Sequence, residues 1–148
     1  MSYTITFKQA TNEHLDFLLK LRKLSMTEHL IGAGINLDDS QHLERVKDHY
    51  HDSKLILLDD EAIGILKLGN IENRLHIRQF QLLPKVQNKG IGGKVLDALI
   101  DRAKQKGLDI SLYVLKNNPA KSLYLRKGFN IVEQDRLQYF MRLSKQSN

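Results

Sequence analysis

The residues from Leu82 to Leu96 read Leu-Leu-Pro-Lys-Val-Gln-Asn-Lys-Gly-Ile-Gly-Gly-Lys-Val-Leu, and the rest of the chain is interpreted around them. This stretch begins as the end of an apolar strand, passes through a basic turn with glycines, and continues as an amphipathic helix. Glycines leave a turn without bulky Cβ groups, so that its backbone can approach a ligand closely. The first N–H groups of the helix lack partners within it, and the helix dipole favours negative charge there. The stretch therefore predicts a site for phosphate or pyrophosphate.

Two common phosphate-binding motifs do not fit this turn. The dinucleotide motif G-x-G-x-x-G would require a glycine at Val95. The P-loop would require a glycine at Asn88 and a serine or threonine at Val95. The pattern that remains is Gln87-x-x-Gly90-x-Gly92, placed between a strand and a helix.

The composition predicts a single soluble domain that spans residues 1–148, because 41% of the residues are hydrophobic and 27% are charged. The chain has no cysteine, which excludes disulfides, thiolate nucleophiles and cysteine-based zinc sites. No signal peptide is visible, and no apolar run approaches the roughly 20 residues that cross a membrane. A cytoplasmic protein without a membrane partner is expected.

The formal net charge of +6 raises the alternative of a nucleic-acid-binding protein. The basic residues are spread along the chain, and neither an interleaved aromatic and basic pattern nor a zinc-finger spacing is present. We therefore expect no nucleic-acid partner. An anionic cofactor would use part of the excess positive charge.

Hydrophobic periodicity predicts the element order βααβββαβαββ, and hence a mixed α/β (α+β) fold. Its central sheet is expected to have about six to seven strands with helices on both faces. The pattern places a turn at Gly69-Asn70 and the buried side of the second helix at Leu43, Val46 and Tyr50. The predicted strands are 3–8, 54–58, 62–68, 75–83, 109–115, 129–132 and 137–143, and the predicted helices are about 12–30, 39–51, 92–106 and 119–127.

A second motif lies about 25 residues after the glycine turn, as counted on the sequence, and reads Asn117-x-x-Ala120-x-x-Leu123-Tyr124-x-x-x-Gly128-Phe129. Together with the glycine turn and the element order, it resembles the GNAT (Gcn5-related N-acetyltransferase) superfamily over nearly the full chain. The resemblance implies a three-layer fold and an acetyl-CoA-dependent N-acetyltransferase. In such an enzyme a primary amine attacks the thioester directly, without a covalent enzyme intermediate.

The resemblance also assigns residues to acetyl-CoA. In that assignment the backbone N–H of Leu82 is the oxyanion donor, and Tyr124 gives a proton to the departing thiolate. A core tyrosine packed beside Leu123 is the alternative interpretation of Tyr124. The implied cofactor-binding residues are Leu82, Leu83, Val86, Gln87, Asn88, Lys89, Gly90, Ile91, Gly92, Gly93, Lys94, Asn117, Ala120 and Tyr124.

The general base is less determined by the sequence. His76 stands eleven residues before Gln87, at the strand position that carries a glutamate base in some histone-acetylating relatives. Its unperturbed pKa of about 6.5 suits removal of a proton from an ammonium group. Glu72 and water are the alternatives, and a partly exposed strand histidine without catalytic role is a further interpretation.

The acceptor is not identified by the sequence. Polyamines, aminoglycosides, amino acids, peptide N-termini and protein lysines all remain open, as does a homodimer. Acidic residues near the first two helices could attract a cationic amine, although helix capping explains the aspartates equally well; they are Glu28, Asp38, Asp39 and Glu44. His49 and His51 do not share a helix face, so no metal site is expected. A non-catalytic acyl-CoA-binding module is the alternative function.

Overall fold

The computed structural model describes residues 2–145. Within this range the chain forms seven strands and four α-helices in the predicted order, which confirms the mixed α/β fold class. The strands are β1 (Ile5–Gln9), β2 (Ser53–Leu58), β3 (Glu61–Ile71), β4 (Arg74–Leu82), β5 (Asp109–Leu115), β6 (Asn130–Gln134) and β7 (Gln138–Leu143). The helices are α1 (Leu15–Gly32), α2 (Asp39–Lys47), α3 (Ile91–Lys106) and α4 (Ala120–Arg126).

The strands follow the order β1-β2-β3-β4-β5-β7-β6 in one open sheet. The pair β4–β5 is parallel, whereas β1–β2, β2–β3, β5–β7 and β6–β7 are antiparallel. The parallel ladder contains four residue pairs and ends at Ile77–Leu112, although β4 continues to Leu82 and β5 to Leu115. The last residues of β4 therefore have main-chain groups that β5 does not pair.

The described residues group into two compact units, and the single-domain prediction stays a prediction. The first unit contains the residues up to Lys67 together with Gln79–Asn88. Its core forms where the apolar sides of α1 and α2 meet β2 and β3, and Leu83 packs against this cluster. The buried members are Ala10, Leu18, Leu21, Val46, Leu55 and Ile65.

The second unit contains Leu68–Arg78 and the residues from Lys89 onward. Helix α3 buries apolar side chains at helical spacing, as its sequence predicts, and ends at Gly107 in the left-handed conformation with φ 65°. The buried residues of this unit include Val95, Leu96, Leu99, Ala103, Ile110, Leu112, Tyr124, Phe129 and Met141.

A buried lysine fixes the end of α2. Lys67 on β3 is 1% exposed, and its ammonium group donates hydrogen bonds to the carbonyls of Arg45, Val46 and Asp48. The last carbonyls of a helix lack partners within it and carry partial negative charge. Lys67 therefore satisfies these carbonyls and complements the helix dipole where water is excluded.

The predicted end of the second helix at about residue 51 is wrong. Helix α2 ends at Lys47, and His49 adopts the left-handed conformation with φ 53° before a short 3₁₀ turn, Tyr50–Asp52. The predicted inner face is partly wrong as well. His42 and Val46 are the buried residues of α2, whereas Leu43 is half-buried.

The predicted turn at Gly69-Asn70 is also wrong, since β3 continues through both residues to Ile71. The chain turns instead at Glu72 and Asn73, which both have positive φ. Gly69 has a different role: an added Cβ atom would lie 2.5 Å from Nε of Arg78. A glycine here permits close approach of a side chain rather than a turn.

We expect Lys67→Met to lower the free energy of unfolding by about 2–3 kcal/mol, because the hydrogen bonds from a charged donor are lost and buried carbonyls remain unsatisfied. Lys47→Met, at the exposed end of α2, is the matched control and should change the free energy of unfolding by less than about 0.5 kcal/mol. Urea denaturation measures both values. Equal stability of the two variants would contradict the role assigned to Lys67.

Candidate functional site

The glycine turn is built by residues with unusual backbone conformations. A short 3₁₀ turn at Pro84–Val86 follows β4, and both Asn88 (φ 62°) and Gly90 (φ 81°) are left-handed. The first α-helical hydrogen bond of α3 runs from the N–H of Lys94 to the carbonyl of Gly90, at 3.2 Å. The N–H groups of Ile91, Gly92 and Gly93 consequently have no acceptor within the helix.

The electrostatics at this helix start favour an anion. Helix α3 has 16 residues and no acidic residue in its first turn, so its dipole is not offset there. Lys89 and Lys94 are exposed beside the turn. Lys85 pairs with Glu61 at 2.7 Å. A Cβ atom added to Gly90 would meet no atom within 4 Å, which leaves the outer side of the turn open. The donors, charge and space fit a phosphate-bearing ligand.

At the end of β4, the N–H groups of Leu82 and Leu83 face different neighbours. The N–H of Leu83 donates to the carbonyl of Ile63 on β3 at 2.8 Å, and is thereby engaged. Successive residues of a strand direct their main-chain groups to opposite edges, so the N–H of Leu82 points away from β3. On that edge the Gln87 side chain donates to the Leu82 carbonyl at 2.9 Å. The N–H groups of Leu82 and Leu83 thus face opposite edges of the strand.

Helix α4 carries the second motif. The side chain of Asn118 accepts a hydrogen bond from the N–H of Ala120 at 2.9 Å, as expected for a helix start, and Asn117 lies exposed just before it. Tyr124 is 6% exposed, and its ring meets the Phe129 ring edge to face at 5.6 Å. Burial raises the pKa of Tyr124 above its ordinary value, so the phenol is protonated at neutral pH.

The start of α3 and the end of α4 pack together. A Cβ atom on Gly93 would lie 3.5 Å from Cε of Lys127 and 3.8 Å from a methyl group of Leu123. The ammonium group of Lys127 forms an ion pair with Asp97 at 2.8 Å, which ties the two helices one turn further on. The structure therefore brings the end of the glycine turn next to the helix of Tyr124, although the two motifs are separate in the sequence.

His76 is a buried member of a polar group on β4 and β5. Its Nδ1 atom lies 2.8 Å from Oγ of Ser111, and Nε of Arg74 donates to the same oxygen at 2.8 Å. The Tyr113 ring contacts the imidazole edge to face at 5.6 Å. Burial, followed by the charges of Arg74 and Arg78, lowers the pKa of His76 below its ordinary value. His76 is therefore neutral at pH 7.

The hydrogen bond with Ser111 decides which imidazole nitrogen of His76 carries the proton, and therefore whether Nε2 can act as a base. Since Arg74 can only donate, the Ser111 oxygen accepts that bond and its own proton can point to Nδ1 of His76. In this state the imidazole proton is on Nε2, which then cannot accept another. If Nδ1–H donates to Ser111 instead, Nε2 has a free lone pair and can act as a base. The sequence did not indicate Ser111; only the parallel register His76↔Ser111 brings the two together.

The other predicted candidates have simpler surroundings. Glu72 is exposed in the β3–β4 turn and forms an ion pair with Arg74 at 2.9 Å. The rings of His49 and His51 have centroids 6.5 Å apart. Residues 2–145 contain no group of three or more histidine or acidic side chains arranged to hold a metal ion. Within the same residues, no helix is both long enough and apolar enough to span a membrane.

Solved structures with this fold include several acetyltransferases. PaiA N-acetyltransferase from Thermoplasma acidophilum, solved in complex with coenzyme A, is 22% identical, with 97% of this chain and 99% of that chain covered and a TM-score of 0.72. The ribosomal-protein-S18-alanine N-acetyltransferase from Escherichia coli is 14% identical, with 98% and 97% covered and a TM-score of 0.71. Naa50 from Arabidopsis thaliana, solved with the bisubstrate analogue CoA-Ac-MVNAL, is 19% identical, with 95% and 98% covered and a TM-score of 0.67.

The structural matches establish the fold, and the family is established by sequence. A search of curated proteins found no significant match. The model of the acetyltransferase (GNAT) family, in contrast, matches residues 18–129, which is well over half of the chain and includes both motifs. The protein belongs to the GNAT acetyltransferase family.

Proposed function

We propose that this protein transfers the acetyl group of acetyl-CoA to a primary amine by direct attack within a ternary complex. The observation that carries the proposal is the packing of the α3 start, with its three N–H groups lacking helical acceptors, against the helix of Tyr124. An anion-binding turn and a protonated phenol on adjacent helices suit a donor that has a pyrophosphate and releases a thiolate. Family membership supports the same reaction class.

The residues of the glycine turn hold the donor in this proposal. The N–H groups of Ile91, Gly92 and Gly93 bind the pyrophosphate, and Lys89 and Lys94 add positive charge. The turn is completed by Val86, Gln87, Asn88 and Gly90, and Asn117 and Ala120 contact the pantetheine arm. When bound, acetyl-CoA supplies a thioester-activated acetyl group. The main-chain edge of β4 beyond Ile77 lacks β5 partners and can pair with the arm like an added strand.

The reaction needs stabilisation of the charge that develops on the thioester oxygen. We assign this to the N–H of Leu82, because the neighbouring Leu83 N–H is engaged with Ile63 and the two point to opposite edges. A fixed main-chain donor requires no reorganisation during the reaction. Leu83 contributes to the site through its carbonyl and side chain rather than its N–H.

Three proton transfers complete the reaction. The attacking amine must be neutral, so one proton leaves the ammonium for the base before attack. A second proton leaves the nitrogen as the C–N bond forms and replaces, through water, the proton that Tyr124 gives to the sulfur. Tyr124 gives its proton to the sulfur as the C–S bond breaks, and its raised pKa keeps it protonated until that moment. His76 is the proposed base, acting directly or through water in the tautomer whose Nδ1–H donates to Ser111. Glu72 is less suited, since Arg74 already pairs with it.

The cofactor site is tested by thermal shift with acetyl-CoA, CoA and ATP on wild type and Gly90→Glu. We expect acetyl-CoA and CoA to stabilise the wild type, by about 2.7 kcal/mol at a hundredfold excess over Kd. Gly90→Glu should lose this stabilisation because a carboxylate enters the open side of the turn.

Gly107→Glu is the matched control for this test. Gly107 is also left-handed and would also meet no atom within 4 Å, so that the backbone strain is similar, but it lies at the other end of α3. Gly107→Glu should retain the acetyl-CoA shift. No shift in the wild type would exclude the proposed function, while a shift without thiol release from any amine would indicate a non-catalytic binding module.

Tyr124→Phe removes the proposed acid while retaining the ring that packs on Phe129. We expect kcat to fall by about 100-fold or more, the usual size of a general-acid contribution, with the acetyl-CoA shift preserved. Tyr50→Phe removes another phenol, which donates to the Thr11 carbonyl at 2.7 Å, and should lower stability by about 1 kcal/mol without lowering kcat. An unchanged kcat in Tyr124→Phe would remove this residue from the mechanism.

The pH dependence of kcat/KM tests His76. Because burial lowers its pKa below 6.5, the neutral base is fully present at pH 7, and activity should fall only as the pH drops below that ordinary value. His76→Gln should abolish this acidic limb and lower kcat/KM, whereas His51→Gln, at an exposed position, should leave the limb in place. The same limb in both variants would point to another base or to water.

A further inference from the structure

Arg22 is a charged residue at a core position of α1. It follows Leu15 and Leu18 by seven and four residues, so helical geometry places all three on one side of the helix. Arg22 is only 8% exposed, and its neighbour Leu21 is completely buried. Arginine at such a position is rarely buried unless it is paired.

The bonding of Arg22 within the chain is incomplete. Its Nε donates to Nδ1 of His42, a buried residue of α2, at 3.2 Å. Burial and the charge of Arg22 lower the pKa of His42, so this partner is neutral and supplies no negative charge. Among residues 2–145, no carboxylate lies within ion-pair distance of Arg22. Burial and then the charge of Arg45 lower the pKa of Arg22 to about 10, which still leaves it charged at neutral pH.

The free donors of this guanidinium are accessible. Three side-chain atoms of the described residues are sealed from solvent without a hydrogen-bond partner: Nδ1 of His49, Oγ of Ser53 and Nε of Arg78. The Nη1 and Nη2 atoms of Arg22 have no partner and are not in this set, so they reach accessible space. Their four N–H groups are the fork that binds a carboxylate or phosphate in bidentate fashion.

The aspartates of α2 do not compensate the charge of Arg22. Asp39 pairs with Lys23 at 2.8 Å, and Asp38 accepts the N–H of Gln41 at 2.8 Å as the helix cap. Helix capping thus explains Asp38. The carboxylates of Asp38 and Asp39 do not contact Arg22. The remaining charge felt by Arg22 is that of Arg45, which is also positive. Both aspartates therefore have partners within the chain.

Arg22 and the proposed oxyanion donor, Leu82, are each next in sequence to a residue of one packed group. Leu21, which precedes Arg22, belongs to the core cluster against which Leu83 packs. Leu83 directly follows Leu82. The same core cluster therefore supports both chain segments.

We propose that Arg22 binds an anionic group of the acceptor, so that the substrates of this protein are amines that also have a carboxylate or a phosphate. This inference rests on the proposed function and specifies its acceptor class. A merely structural link between α1 and α2 would account for the Nε–His42 bond. It would not require the accessible Nη pair or a charge without a counter-ion.

The test is thiol release from acetyl-CoA with matched amine pairs. The carboxylate arm compares 4-aminobutyrate with 4-aminobutanamide, and the phosphate arm compares O-phosphoethanolamine with ethanolamine. We expect the wild type to favour the anionic member of one pair at least tenfold in kcat/KM, mainly through KM. The arm that shows the preference identifies the anionic group.

Variants then assign the preference to Arg22. Arg22→Gln should abolish it while retaining the acetyl-CoA thermal shift, and Arg22→Lys, which keeps the charge, should retain part of it. Arg45→Gln removes an exposed positive charge nearby and should leave the preference unchanged. The selectivity of the wild type is decisive even if Arg22→Gln does not fold.

The outcomes separate this inference from the proposed function. Equal kcat/KM within both pairs, or equal losses for both members in Arg22→Gln, would overturn the role of Arg22. No transfer to any of the four amines, with the acetyl-CoA shift intact, would overturn it as well. Absence of the acetyl-CoA shift in the wild type would instead overturn the proposed function.

Discussion

The glycines at the start of α3 keep this segment open for the proposed anion site. Gly90 adopts φ 81°, which other residues rarely tolerate, and a Cβ atom there would meet no atom within 4 Å. The first N–H groups of the helix lack acceptors within it. At Gly93 the absence of a side chain serves packing, since the aliphatic part of Lys127 lies where a Cβ atom would make contact. One short glycine segment thus exposes donors on one side and admits α4 on the other. Tyr124 lies on the same helix, and its ring packs edge to face against Phe129.

Helix α2 depends on a different kind of interaction. It has nine residues, too few to be stable alone, and only His42 and Val46 are buried. The ammonium group of Lys67 compensates by binding the last carbonyls of this helix from the neighbouring strand. Because α2 supplies the His42 partner of Arg22, the buried lysine also fixes the surroundings of the proposed acceptor-binding residue. The hydrogen bonds from Lys67 therefore stabilise the helix whose His42 accepts the hydrogen bond of Arg22.

Local sequence patterns predicted most of the fold because they determine most of it. The amphipathic pattern of α3 and its predicted range of 92–106 each depend on a few adjacent residues, and the structure agrees with both. The predictions were wrong where the conformation depends on residues that are distant in the sequence. Gly69 is predicted to be a turn residue, but it lies within β3, where the Arg78 side chain of the next strand approaches it closely. The end of α2 depends on Lys67, twenty residues further along the chain.

The candidate site also contains features that adjacent residues determine and features that distant residues determine. Its main-chain part could be predicted, because glycine turns and helix starts have local signatures, whereas the neighbours of buried side chains could not. Ser111 meets His76 only through strand register. Arg22 has a usable signal in the sequence, since it is a charged residue at the helical spacing of the apolar Leu15 and Leu18.

The net positive charge of the protein has different effects at exposed and at buried positions. Many cations are paired at the surface, as Lys23 is with Asp39 and Lys85 with Glu61, and such exposed pairs contribute little because water and salt screen them. A charge counts more where less water surrounds it, and the Arg22 side chain is only 8% exposed. An overall charge of +6 therefore says less about partners than one buried cation without a counter-ion. In the proposed reaction, this local charge would favour an anionic group on the acceptor, and the helix dipole of α3 would favour the phosphates of the donor.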